Sequence, residues 1–206
     1  CKVYASNGVI VDYTAPKAYI SLDEGQTGSS TGVYGDDVAL NIHVQDIIQD
    51  VTDSASAIKK VELRVENNGK ETDKVTLLDI QSSPEMNMEG NGKPSWTLGE
   101  LDEYRSKDLK YTVNAEENNS NNVAVYVTVW DNADNAYDTE AYPLQIDITA
   151  PVIEAKYTSE AQVQNEKYYN RPMQAEITYT ERNFSYDKNY LWFDVQVEGK
   201  NIGTYT

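Results

Sequence analysis

The chain carries one phrase written twice. Asp12-Tyr13-Thr14-Ala15-Pro16 returns as Asp147-Ile148-Thr149-Ala150-Pro151, and 147 minus 12 sets a period of 135 residues. The register runs past the phrase: Tyr34 falls on Tyr169, Ala39 on Gln174 beside Ala175, and Ile42 on Ile177. Self-similarity over such a distance marks a string of alike modules, each burying its own core, rather than one catalytic domain. Laid along the 206 residues, the period gives one complete module, residues 12–146, between two fragments. Residues 1–11 match Ala136 to Ile146 and are read as the last strand of a preceding module. Residues 147–206 are read as the N-terminal part of a following one, whose unfinished sheets are expected to need further chain or a partner to cover their edges.

Within the complete module the hydrophobic pattern has period two. Val38, Leu40, Ile42 and Val44 alternate with polar neighbours, as do Val61, Leu63 and Val65, and Val123, Val125, Val127 and Val129. Val75 and Leu77 continue beyond Asn67-Asn68-Gly69-Lys70, whose Asn-Gly step is a hairpin signal. Tyr137 to Ile146 is expected to form one closing strand, and Glu116 to Asn122 a tight polar connection. Gln81 to Lys107 reads as an elaborated connection, with a short helix over Leu101 to Leu109. The second copy offers strands over Ile153–Tyr157, Met173–Thr180 and the alternation Leu191, Phe193, Val195, Val197. Strands in this number, without helices to cover a parallel sheet, predict an all-β fold of antiparallel sandwiches.

Seventeen basic residues against thirty-four acidic ones give a net charge of −17. Such a surface repels nucleic acid and anionic lipid, so neither is expected as a partner. No apolar run approaches the roughly 20 residues a membrane-spanning helix needs, so no membrane insertion is expected. One cysteine, Cys1, leaves the fold without an internal disulfide, and its place within a repeat-matched strand argues against a lipid-bearing N-terminus.

Asp-x-Thr-Ala-Pro opens each copy, and Val127-Thr128-Val129-Trp130-Asp131-Asn132-Ala133-Asp134-Asn135 precedes the last strand. Together these resemble the tandem immunoglobulin-like repeats of Gram-positive cell-surface and adhesin proteins. Asp134 stands where that family usually has Gly. Tyr168-Tyr169-Asn170-Arg171 and Thr180-Glu181-Arg182-Asn183-Phe184 are similar to phrases in large repeat proteins of gut bacteria. The resemblance implies antiparallel immunoglobulin-like β-sandwich modules in tandem, outside the cell, at the bacterial surface or secreted. It implies a non-catalytic stalk that also displays a ligand-binding surface. Two other functions fit the same residues: capture of host immunoglobulin in the manner of a B-cell superantigen, and an accessory or carbohydrate-binding module of a secreted carbohydrate-active enzyme.

Two sites follow as expectations. In an immunoglobulin-like sandwich the entry to the first strand shares an end with the second-to-third and penultimate-to-last strand loops. Asp12 is thereby expected near Asp131, Asp134 and Asn135, and near the acidic loop of Asp46, Asp50 and Asp53. Hard oxygen donors in that number suit calcium. No cofactor is required by any motif, and Asp and Asn also shape loops without a metal. The second site rests on sixteen tyrosines and three tryptophans against two phenylalanines, a preference for rings with polar tips. Tyr126 and Trp130, flanked by Glu62 and Arg64, are expected to form a platform on one sheet face for a host protein, immunoglobulin among them, or a glycan. Catalytic residues are not expected. His43 lies on a polar strand face, and no nucleophile elbow, phosphate loop or zinc spacing is present. An isopeptide crosslink would need a buried lysine, for which Lys17 is placed near the first strand.

Overall fold

A computed structural model describes residues 12–26, 31–46, 56–80, 104–158, 163–164, 168–169, 174–184, 192–197 and 200–205. The expectations for residues 1–11, Asp50, Asp53 and most of the Gln81–Lys107 connection lie outside them. The chain divides into two compact units, one ending at Ile148 and the next starting at Thr149.

The first unit contains β1 (Lys17–Leu22), β2 (Val33–Tyr34), β3 (Val38–Gln45), β4 (Ile58–Asn67), β5 (Lys70–Asp79), β6 (Ser106–Val113), β7 (Val123–Asp131), β8 (Ala136–Asp138) and β9 (Tyr142–Ile146). One sheet has the order β1-β3-β6, the other β2-β9-β7-β4-β5, with β8 also on β7. The alternating residues of β3, β4 and β7 are buried, and they join one hydrophobic core. Burying each such Val, Leu or Ile side chain contributes about 1.5–3 kcal/mol over leaving it in water. A shared core between two sheets makes this unit a β-sandwich, and no α-helix occurs among the described residues. None is therefore long and apolar enough to cross a membrane. At the hairpin tip Asn68 and Gly69 both take positive φ, 52° and 75°, the conformation a two-residue Asn-Gly turn requires.

Three details depart from the periodic pattern. The sheets are not all antiparallel. After β1 the chain joins the edge of the other sheet, where β2 runs parallel to β9 (Val33 opposite Gln145, Tyr34 opposite Ile146). The expected helix over Leu101 to Leu109 is replaced, from Ser106 onward, by strand β6 paired along all of β3. Leu109, Tyr111 and Val113 turn toward the core, and pairing with β3 overrides the weak strand preference of Lys107-Asp108. The closing strand is broken in two. The Thr139 hydroxyl accepts the Val127 N–H at 3.0 Å, while the Thr139 N–H donates to the Val127 carbonyl at 2.9 Å. β8 and β9 lie on either side of that clasp. Lys17 is exposed, which removes the crosslinking role.

The second unit holds β10 (Val152–Thr158), β11 (Val163–Gln164), β12 (Tyr168–Tyr169), β13 (Gln174–Thr180), β14 (Phe193–Val197) and β15 (Lys200–Tyr205). Among the described residues these form three two-stranded pairs. The β10–β13 ladder reproduces the β1–β3 ladder at the sequence period. Lys17 opposes Gln45 and Leu22 opposes Leu40; 135 residues on, Val152 opposes Thr180 and Tyr157 opposes Ala175. Burial does not follow pairing. Ala18 of β1 is 4% exposed, whereas its counterpart Ile153 of β10 is 56% exposed, because a two-stranded ribbon leaves faces uncovered.

Candidate functional site

Three carboxylates from distant parts of the chain meet at one end of the first unit. Asp12 precedes β1, Asp46 directly follows β3, and Asp131 ends β7. An oxygen of each lies within 4.8 Å of the others.

Local hydrogen bonding builds the cluster. Asp131 Oδ1 accepts the N–H groups of Ala133 and Asn135, each at 2.8 Å, and its Oδ2 accepts the Asn135 side-chain amide at 2.8 Å. A short acidic side chain bonding two and four residues ahead folds the tight loop after β7. Asn135 also donates to the Asp12 carbonyl at 3.3 Å. Asp12 accepts the Thr14 N–H at 2.9 Å and the Ser56 N–H at 2.8 Å. Asn132 fastens the opposite wall, its side chain donating to the carbonyls of Ser56 and Ala57 at 2.9 and 3.2 Å. Ala57 there holds a φ of 68°, a left-handed conformation that costs a non-glycine residue about 1 kcal/mol.

Asp46 is the least satisfied member. Its backbone N–H donates to the Arg105 carbonyl at 2.8 Å, and one side-chain oxygen accepts the Ala57 N–H. Among the described residues nothing donates to its Oδ2, although the residue is only 1% exposed. Burial, then the charges of Asp12 and Asp131, push its carboxyl up to about 6; Arg105 opposes them with the smallest of these effects. Asp131 is also raised, again first by burial, against the pull of its Asn135 hydrogen bonds.

Of the residues expected to bind calcium, the structure brings Asp12, Asp131 and Asn135 together and leaves Asp134 out. Asp134 is exposed and pairs with Lys59. Its φ of 64° explains why glycine suits this position: the turn needs a left-handed residue, and Asp tolerates that better than most. Asp46, expected nearby as part of the acidic loop after β3, supplies the third carboxylate.

The platform residues do share a face, on β4 and β7. Arg64 stands opposite Tyr126 and Lys60 opposite Trp130, each cation lying over its ring at 4.5 and 5.4 Å from the centroid. Glu62 is bonded by Lys60 and by Lys74 at 3.4 Å, and the Lys60 bond above all holds its carboxyl below the usual range. Arg64 also pairs with Glu66. The face is therefore a lattice of paired charges laid over half-buried rings.

Two pairings had no sequence signal. His43 Nδ1 lies 2.8 Å from Asp108 on β6, and Lys110 lies 2.7 Å from Asp23. Both border a cleft of about 330 Å³ on the outer face of the three-stranded sheet, lined by Ser21, Asp23, Glu24, Asn41, Asp108 and Lys110. Reading Asp108 as helical hid its register with His43.

No family model matches this chain, and no curated protein does. Among solved structures, a DUF4466 family protein from Parabacteroides merdae is similar at 7% identity and a TM-score of 0.37, over 72% of this chain. The match spans half of that protein's length.

Proposed function

We propose that this chain is a stretch of an extended bacterial surface protein, built from tandem immunoglobulin-like sandwiches and acting as a non-catalytic stalk that displays a binding face to a host protein. The recurrence of one strand pairing at the sequence period carries the reading: β10–β13 repeats β1–β3 residue for residue after 135 positions. A β1-β3-β6 sheet facing a β2-β9-β7-β4-β5 sheet resembles the immunoglobulin-type arrangement, with a short strand crossing to the second sheet near the start. Fold alone does not fix function, so the ligand is argued from the face itself.

The face of β4 and β7 favours a protein over a sugar. Stacking on a glycan needs bare ring faces, and here Lys60 and Arg64 occupy those of Trp130 and Tyr126. What is offered is an Arg- and Tyr-bearing surface of mixed charge, the composition enriched at protein interfaces. Immunoglobulin is the host protein to try first. Immobilised chain should retain pooled polyclonal immunoglobulin, and an Arg64→Ala, Tyr126→Ala double variant should lose that retention. If a glycan array binds while immunoglobulin does not, the accessory-module reading replaces this one.

A further inference from the structure

We propose that the acidic end of the first unit is a calcium site, with Asp12, Asp46 and Asp131 supplying carboxylate oxygens that fasten the segment before β1 to the sandwich.

The geometry admits one ion among the three. Calcium sits about 2.3–2.6 Å from its oxygen ligands, so two ligands on opposite sides stand roughly 4.6–5.2 Å apart. The three carboxylates have oxygens within 4.8 Å of one another, inside that limit. All donors are hard oxygens, which select an alkaline-earth ion over zinc or copper. Water and carbonyls complete the six to eight positions calcium takes.

Hydrogen bonding separates this cluster from a chance gathering of acids. Asp12 and Asp131 are fixed by amide donors, so their carboxylates are held in place before anything binds. Asp46 Oδ2 is buried and has no donor among the described residues. An ionised oxygen taken from water without a partner is strongly destabilising, and native proteins rarely leave one so. Among the described residues Arg105 is the cation that acts on Asp46, and it only partly offsets the two neighbouring carboxylates. A divalent ion would satisfy the open oxygen and cancel the mutual repulsion at once. Because the ligands come from residues 12, 46 and 131, binding would also tie together three separate segments, coupling occupancy to folding.

The test uses the full chain at pH 7.5, comparing melting in EGTA, in about 1 mM calcium and in about 1 mM magnesium, the range in which extracellular modules bind calcium. Calcium should raise the melting temperature of the first unit by about 3 °C or more, as for any ligand bound only by the folded state. Magnesium should do distinctly less. Asp46→Asn should abolish the calcium shift while its melt in EGTA equals or exceeds that of wild type, since a buried repulsive charge is gone. Asp134→Asn should keep the full shift. The assignment is overturned by an unchanged wild-type melt, by a shift that survives Asp46→Asn, or by an Asp46→Asn melt in EGTA below wild type. An equal response to magnesium overturns the choice of calcium.

Discussion

Among the described residues of the first unit, the buried polar side chains where β7 begins are Asn118 and Ser120; where it finishes, they are Asp46, Ser56 and Asp131. The first end is neutral and complete. Asn118 donates to the Asn114 carbonyl at 2.9 Å and accepts the Thr72 hydroxyl at 2.8 Å. Ser120 Oγ accepts from the Asn122 N–H at 3.0 Å and from the Asn68 amide at 3.1 Å. The second end gathers three carboxylates and leaves one oxygen open. Both seal the same core, but amides do so alone, whereas carboxylates in this number call for positive charge. Burial by itself therefore says little about what an end is for; how far its donors and acceptors cancel says more.

The largest effect should come from Asp131→Ala. It strips three hydrogen bonds from a fully buried side chain and should destabilise the first unit by about 3 kcal/mol in chemical denaturation. A loss under about 1 kcal/mol would mean the loop stands without its acid. Next is pH, read in EGTA as the stability of wild type minus that of Asp46→Asn. The folded carboxyl sits near 6, above the unfolded value of about 3.8, so protonation favours the folded state. The difference should grow in favour of wild type as pH falls through 6, reach its full size below about 4, and amount to at most about 3 kcal/mol. A flat difference would place Asp46 in a balanced environment and erase the contrast between the ends.

Asn118→Ala should cost about 1–2 kcal/mol, by the same amount at pH 5 and pH 8 and with or without calcium. Any dependence on either variable would show that the neutral end is not independent of charge. Smallest is Asp134→Gly. Releasing a left-handed residue should gain about 0.5–1 kcal/mol, less the modest exposed pair with Lys59. A net loss would show that the Lys59 contact outweighs the backbone strain.

How much of this was legible in the sequence depended on whether the signal was local. β3, β4 and β7 announce themselves because each is a central strand with one core face, and period two follows from that alone. β6 does not. Its register is set by β3, more than sixty residues away for the pair His43 and Asp108. The break at Thr139 depends on one hydroxyl standing in for a ladder partner, which no periodicity encodes. Asp12 was readable from the recurring phrase, and Asp131 and Asn135 from the resemblance to immunoglobulin-like repeats. Asp46 was only one acid among several after a strand, and nothing in a string of letters tells an inward carboxylate such as Asp46 from an outward one such as Asp134. Period two also put Tyr126, Trp130, Glu62 and Arg64 on one face. That Arg64 lies over Tyr126 needed the register between β4 and β7.

The parallel pairing of β2 with β9 gives the first unit a mechanical character. β2 lies near the start of this unit and β9 near its close, joined at Val33–Gln145 and Tyr34–Ile146 and prolonged by the Asp147 N–H on the Tyr34 carbonyl at 2.8 Å. Tension along the chain drags such neighbours past each other lengthwise. Their hydrogen bonds then share the load and must give way together, where strands peeled from one end would surrender them in sequence.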